Sequence, residues 1–161
     1  MSFFRNGRRG NARSAEAEAQ RALQDLWLAT LQRSWRSLAL IPLHPGGSVR
    51  RLATSLADLA SRYRGHPVDL VVCSGLTLES VAKMVDSIQR HHQERAARPN
   101  GGQQVIVALE PLVDNPFGLP VVLTADMAIL VAELGVTDVR SAERTVEMIG
   151  REKILGVVAM K

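Results

Sequence analysis

Residues 38–60 read LALIPLHPGGSVRRLATSLADLA, and this stretch decides the fold. Leu38 to Leu43 is an apolar run of strand length. Pro45, Gly46 and Gly47 form a tight turn, and from Leu52 apolar residues return at Leu56 and Leu59, which is helical spacing. The pattern is strand, glycine-rich turn, helix, and no internal repeat is apparent along the chain. The spacing predicts a helix from Ala15 to about Trp35, with Leu23, Leu26, Trp27, Thr30 and Leu31 along one stripe. It predicts strands at Ser37–Leu43, Val68–Cys73, Gln104–Leu109, Met127–Glu133 and Ile154–Met160. Helices are expected at Val49–Tyr63, from Thr77 to about Arg95, and at Ser141–Gly150 with Ser141 as cap; Pro111–Leu119 reads as irregular. Continuous apolar strands alternating with amphipathic helices imply an α/β fold. The expected form is a three-layer, doubly wound parallel sheet of about five or more strands with helices on both faces.

A strand, glycine turn and helix are the context in which a Walker A motif has meaning. That motif ends in Gly-Lys-Ser/Thr because a lysine must reach the β- and γ-phosphates and a hydroxyl must hold magnesium. Here those positions are Ser48, Val49 and Arg50. Valine neither carries charge nor donates a hydrogen bond, so the loop Pro45, Gly46, Gly47, Ser48, Val49, Arg50 reads as vestigial. A helix N-terminus still holds anions through its N–H groups, and Arg50 and Arg51 are placed to assist.

The order of segments resembles the bacterial tyrosine kinases of capsule and exopolysaccharide synthesis, within the MinD/ParA-like group of P-loop ATPases. The carriers are the loop just quoted, the preceding Glu18-Ala19-Gln20-Arg21-Ala22-Leu23-Gln24, the later Thr124-Ala125-Asp126 with Gly135 and Thr137, and the final Ile154-Leu155-Gly156-Val157-Val158. The resemblance spans roughly residues 16–161 and implies a P-loop-ATPase-like domain. It also implies that acids should follow the second and third strands. Here Cys73, Ser74 and Gly75 follow Leu70-Val71-Val72, and Ala108 stands where the third strand would carry its acid. All three catalytic motifs are lost together. The expectation is therefore a chain that is not an enzyme, with no cofactor and no metal: a pseudo-ATPase or pseudokinase acting as a protein–protein interaction or scaffold subunit of a polysaccharide synthesis or export system. A MinD/ParA-like positioning or polymer-forming module is one alternative. An ATP-binding enzyme whose site another subunit completes is the other.

The 161 residues suit one domain with a real core, expected over residues 15–161 behind a basic tail at residues 1–14 that is disordered alone. The formal net charge is +4, and Arg5, Arg8, Arg9 and Arg13 of the tail supply all of it. The body thus carries no single-sign field, which argues against nucleic acid as partner. No apolar run reaches the roughly 18–20 residues that span a bilayer. The single Cys73 excludes a disulfide framework within the chain. These features point to the cytoplasm, with membrane association through a partner or weakly through the tail. The candidate partner-binding residues are Phe3, Phe4, Arg5, Arg8 and Arg9 in the tail, and Glu18, Arg21 and Trp27 on the first helix. In the kinase family that helix packs against a neighbouring subunit, which implies a homo- or hetero-oligomer here. His91-His92 reads as part of a solvated helix face. Cys73 reads as a buried thiol, and Glu110 and Asp114 as caps or solvated charges.

Overall fold

The computed structural model describes residues 7–96 and 103–161, and side-chain surroundings for residues 14–93 and 103–161. Phe3, Phe4 and Arg5 lie outside the described residues. The described residues fall into two compact units, one reaching to Arg33 and the other running Ser34–Lys161.

The first unit is a single helix, α1, Gly7–Thr30. It starts earlier and stops earlier than the expected Ala15 to about Trp35. The Thr30 hydroxyl donates to the Trp27 carbonyl at 2.7 Å, and Leu31 N donates to Leu28 O at 3.1 Å. This hydroxyl-to-carbonyl contact competes with the backbone ladder where the helix ends. Trp27 is buried, whereas Glu18 and Arg21 are exposed, as are Leu28 and Leu31.

The second unit contains β1 (Ser37–Pro42), α2 (Arg50–Arg64), β2 (Val68–Val72), α3 (Leu78–Ala96), β3 (Gln104–Ala108), α4 (Leu119–Thr124), β4 (Met127–Glu133), α5 (Val139–Ile149) and β5 (Ile154–Met160). The five strands pair in parallel in the order β2-β3-β1-β4-β5. The expected α/β fold with an all-parallel sheet of five strands is present. Every residue of β1 and β3 is buried, as central parallel strands covered on both sides require.

Side chains alternate across the sheet. Ala39, Ile41, Val105, Val107, Ala128 and Leu130 join one core with Val81 and Ile88 of α3, Val121 and Val122 of α4, and Ile149 of α5. The intervening Leu38, Leu40, Ile106, Ala108 and Ile129 are equally buried and point the other way. The α2 helix contacts β2 and β3, while α3 touches α4 and α4 touches α5. Topology explains this division. The β1-to-β2 connection passes over β3 in one direction, whereas the other three connections run in the opposite direction. Right-handed crossovers place α2 on one face and α3, α4 and α5 on the other.

Two local readings need correction. Within the stretch expected to be irregular, a 3₁₀ turn covers Pro116–Gly118, and the short α4 follows it. Pro120 lies in the first turn of α4, where a missing N–H costs no hydrogen bond. The α5 helix is capped by Asp138 rather than Ser141: the Asp138 carboxylate accepts Ser141 N at 2.8 Å and the Ser141 hydroxyl at 2.7 Å. Ser141 is therefore the donor in a cap set three residues earlier.

Candidate functional site

The carboxyl edge of an open parallel sheet is where doubly wound proteins bind ligands. At this edge the central β1 runs into the loop 43–49. Leu43 N donates to Val131 O at 2.9 Å, which extends the β1–β4 pairing one residue past the strand. Gly47 N donates to His44 O at 3.1 Å and closes the turn, with Gly46 at φ 72°, a conformation that disfavours side chains. A Cβ on Gly47 would stand 2.7 Å from Cε1 of His44 and 2.9 Å from Cβ of Pro42. A side chain there would force the His44 ring or Pro42 to shift. The two glycines thus serve different ends, one a left-handed turn and the other a close approach.

The ends of the loop are turned inward, at Leu43, His44 and Val49, while Pro45, Gly46 and Ser48 are exposed. Val49, which the sequence resemblance sets against the Walker lysine, is 1% exposed and belongs to the core. It caps α2 without a side-chain hydrogen bond, and Arg50 and Arg51 beyond it are exposed. The Gly46 N–H, a backbone donor of the kind that cradles phosphate, already has an acceptor. It donates to Oδ2 of Asp114 at 2.7 Å, from the loop after β3. Beside it, Nε2 of the buried His44 lies 3.2 Å from Oε2 of Glu133 at the end of β4.

The loop after β2 is tied in the same way. Oε1 of Glu110 accepts Gly75 N at 3.0 Å and the Ser74 hydroxyl at 3.1 Å, and its Oε2 accepts Nδ2 of Asn115 at 3.1 Å. The Gly75 N–H foremost, then the Asn115 amide, holds the Glu110 carboxyl below its ordinary range. Glu110 and Asp114 therefore cap backbone, as read from the sequence. The Asp114 bond spans 68 residues, so no local pattern could reveal which backbone N–H it takes.

The remaining positions behave as their residue types dictate. Cys73 is 3% exposed; burial, and secondarily the Glu110 charge, pushes its thiol up to about 11. Ala108 is buried, and its carbonyl accepts Cys73 N at 2.8 Å. A thiol held protonated is neither a nucleophile nor a metal ligand at neutral pH. Among the described residues no group of three or more His, Cys, Asp or Glu could hold a metal ion. Nor is any helix among them long and apolar enough to cross a membrane.

The reading of His91-His92 as a solvated face is corrected. Both rings are partly buried, and each reaches a different strand. Nε2 of His91 lies 3.1 Å from Oδ2 of Asp69 in β2, and Nε2 of His92 lies 2.8 Å from Oγ of Ser37 in β1. Helical neighbours diverge by about 100°, which is why they meet separate strands rather than one ion. Of the partner candidates on α1, Glu18 and Arg21 are presented to solvent and Trp27 is not; the backbone at Arg8 and Arg9 is helical.

These elements define an α/β protein with a parallel five-stranded sheet whose central β1–α2 loop is bound by the protein's own carboxylate. No protein-family model, no curated protein and no solved structure matches this chain.

Proposed function

We propose that this chain is a non-catalytic pseudo-ATPase that works as a protein–protein interaction or scaffold subunit. The observation that carries the reading is the Asp114 carboxylate on the Gly46 N–H. A phosphate brought to the loop would have to displace an internal anion that is already tethered. It would also meet the charge of Asp114, against which only Arg50 and Arg51, exposed at the start of α2, could act. Val49 buried in the core, Cys73 and Gly75 after β2, and Ala108 at the end of β3 remove the lysine and the metal-binding acids together.

The assignment to a cytoplasmic polysaccharide synthesis or export assembly rests on the family resemblance of the sequence. The second reading, a polymer-forming module, has one observation in its favour. The edge strand β5, ILGVVAM, carries no charged residue and exposes Val157, so its guard against strand addition is the register shift at its start rather than charge. Light scattering over a concentration series separates the two. A scaffold subunit reaches a fixed mass. Open-ended growth with concentration would replace the scaffold reading with a polymer-forming one.

A further inference from the structure

The carboxyl-terminal half of α3 is held to the sheet in an unusual way. Ile88 is the last fully buried apolar side chain of the helix among the described residues, and Gln89, Arg90 and Gln93 are exposed. Beyond Ile88, the side chains that reach the sheet are His91 and His92. Their surroundings make opposite demands on protons.

His91 faces two acceptors: its Nδ1 lies 2.9 Å from Ser87 O and its Nε2 lies 3.1 Å from Oδ2 of Asp69. Both contacts are hydrogen bonds only when both ring nitrogens carry protons. His92 faces a hydroxyl. Oγ of Ser37 accepts Asp126 N at 2.9 Å, and it lies 2.8 Å from Nε2 of His92, to which it can donate when that nitrogen carries no proton. Ser37 is fully buried, so no solvent stands ready to replace His92 as acceptor. Protonating His92 turns the contact round, Nε2–H then pointing at Oγ, and leaves the buried Ser37 proton without that acceptor.

We propose that His92 is a proton-sensitive latch: in its neutral form it fastens the end of α3 to β1 through Ser37, and protonation releases that end while the His91–Asp69 contact persists. The charged groups around His92 come from several elements: Asp126 ahead of β4, Arg36 ahead of β1, Lys153 ahead of β5, and His91 on α3 itself. Asp126, with Oδ2 3.8 Å from Nε2, favours the cation. Burial, Arg36, His91 and Lys153 oppose it, and the net direction is below the ordinary value of 6.5. The released form therefore binds more protons than the latched form. The latch is complete above the ordinary value and is lost as the pH falls through the lower, latched one.

Amide hydrogen exchange on the full chain tests this. The protection of amides Arg90–Gln93 is compared with that of α2 as the pH is lowered from 7.5 to 5. The latch predicts that protection at Arg90–Gln93 falls by up to about tenfold per pH unit below the ordinary histidine value, with no matching fall in α2. His92→Gln keeps an acceptor but cannot titrate, and it should flatten the profile; His91→Gln should leave it in place. If His92→Gln does not fold, Ser37→Ala takes its role, because removing the donor should weaken the pH dependence. The proposal is overturned if Arg90–Gln93 and α2 respond alike, or if His92→Gln and Ser37→Ala keep the wild-type profile.

Discussion

Replacing Asp126 by alanine should destabilise the sheet more than any other single change to a charged side chain in the second unit. The carboxylate sits where β1 and β4 begin side by side. Its Oδ2 accepts the backbone N–H of Arg36 at 2.6 Å and of Ser37 at 3.2 Å, and its Oδ1 takes Nη2 of Arg36 at 3.1 Å. The side chain is 21% exposed. Burial pushes the Asp126 carboxyl up, but the bonds from the Arg36 side chain and backbone, with the His92 and Arg36 charges, outweigh it and the net direction is down. Removing the carboxylate leaves two backbone donors without their acceptor. Each charge-assisted bond is worth about 1.5–3 kcal/mol. The Arg36 guanidinium, 39% exposed, regains water and adds little. The expected loss is about 3 kcal/mol for Asp126→Ala and about half that for Asp126→Asn, which keeps one acceptor oxygen. At about 2–4 °C per kcal/mol, the alanine variant should melt about 6–12 °C lower. Urea unfolding gives the free energy directly. The sign of the pH dependence follows from the lowered carboxyl: its contribution is present above the ordinary aspartate value and is lost as the pH falls through the folded one. The gap between wild type and Asp126→Asn should therefore narrow below pH about 4. A loss under about 0.5 kcal/mol, or a gap that does not change with pH, would refute the reasoning.

Gly47→Ala should cost about 1–3 kcal/mol by overpacking, because its Cβ would press on the His44 ring and Pro42; thermal melting checks this, and an unchanged melting temperature would mean the loop can yield. Cys73 should react with a thiol-specific disulfide reagent at pH 8 far more slowly in the folded protein than in urea, since burial holds the thiol protonated up to about 11; equal rates would place it at the surface.

Much of the architecture was legible because parallel strands buried on both faces leave continuous apolar runs. Gln104-Val105-Ile106-Val107-Ala108 and Met127–Glu133 could hardly be read otherwise. The ends of elements were harder. The α5 cap moved from Ser141 to Asp138 because both residue types cap well and only backbone geometry chooses between them. The α4 helix was missed because Pro111, Pro116 and Pro120 make the stretch around it look irregular, although proline is at home in a first turn. At the candidate site, a valine at the position that the sequence resemblance sets against the Walker lysine is visible in the sequence alone. The internal carboxylate that replaces a ligand is not, since Asp114 meets Gly46 only through the pairing of β1 with β3. The same holds for His92, whose partner Ser37 is 55 residues away.

The central claim is that the β1–α2 loop serves no nucleotide. Isothermal titration of the intact chain with Mg-ATP tests it most directly. With Asp114 on the Gly46 N–H and Val49 in the core, the titration should show no saturable heat at sub-millimolar nucleotide. A saturable isotherm with a micromolar Kd would contradict the account.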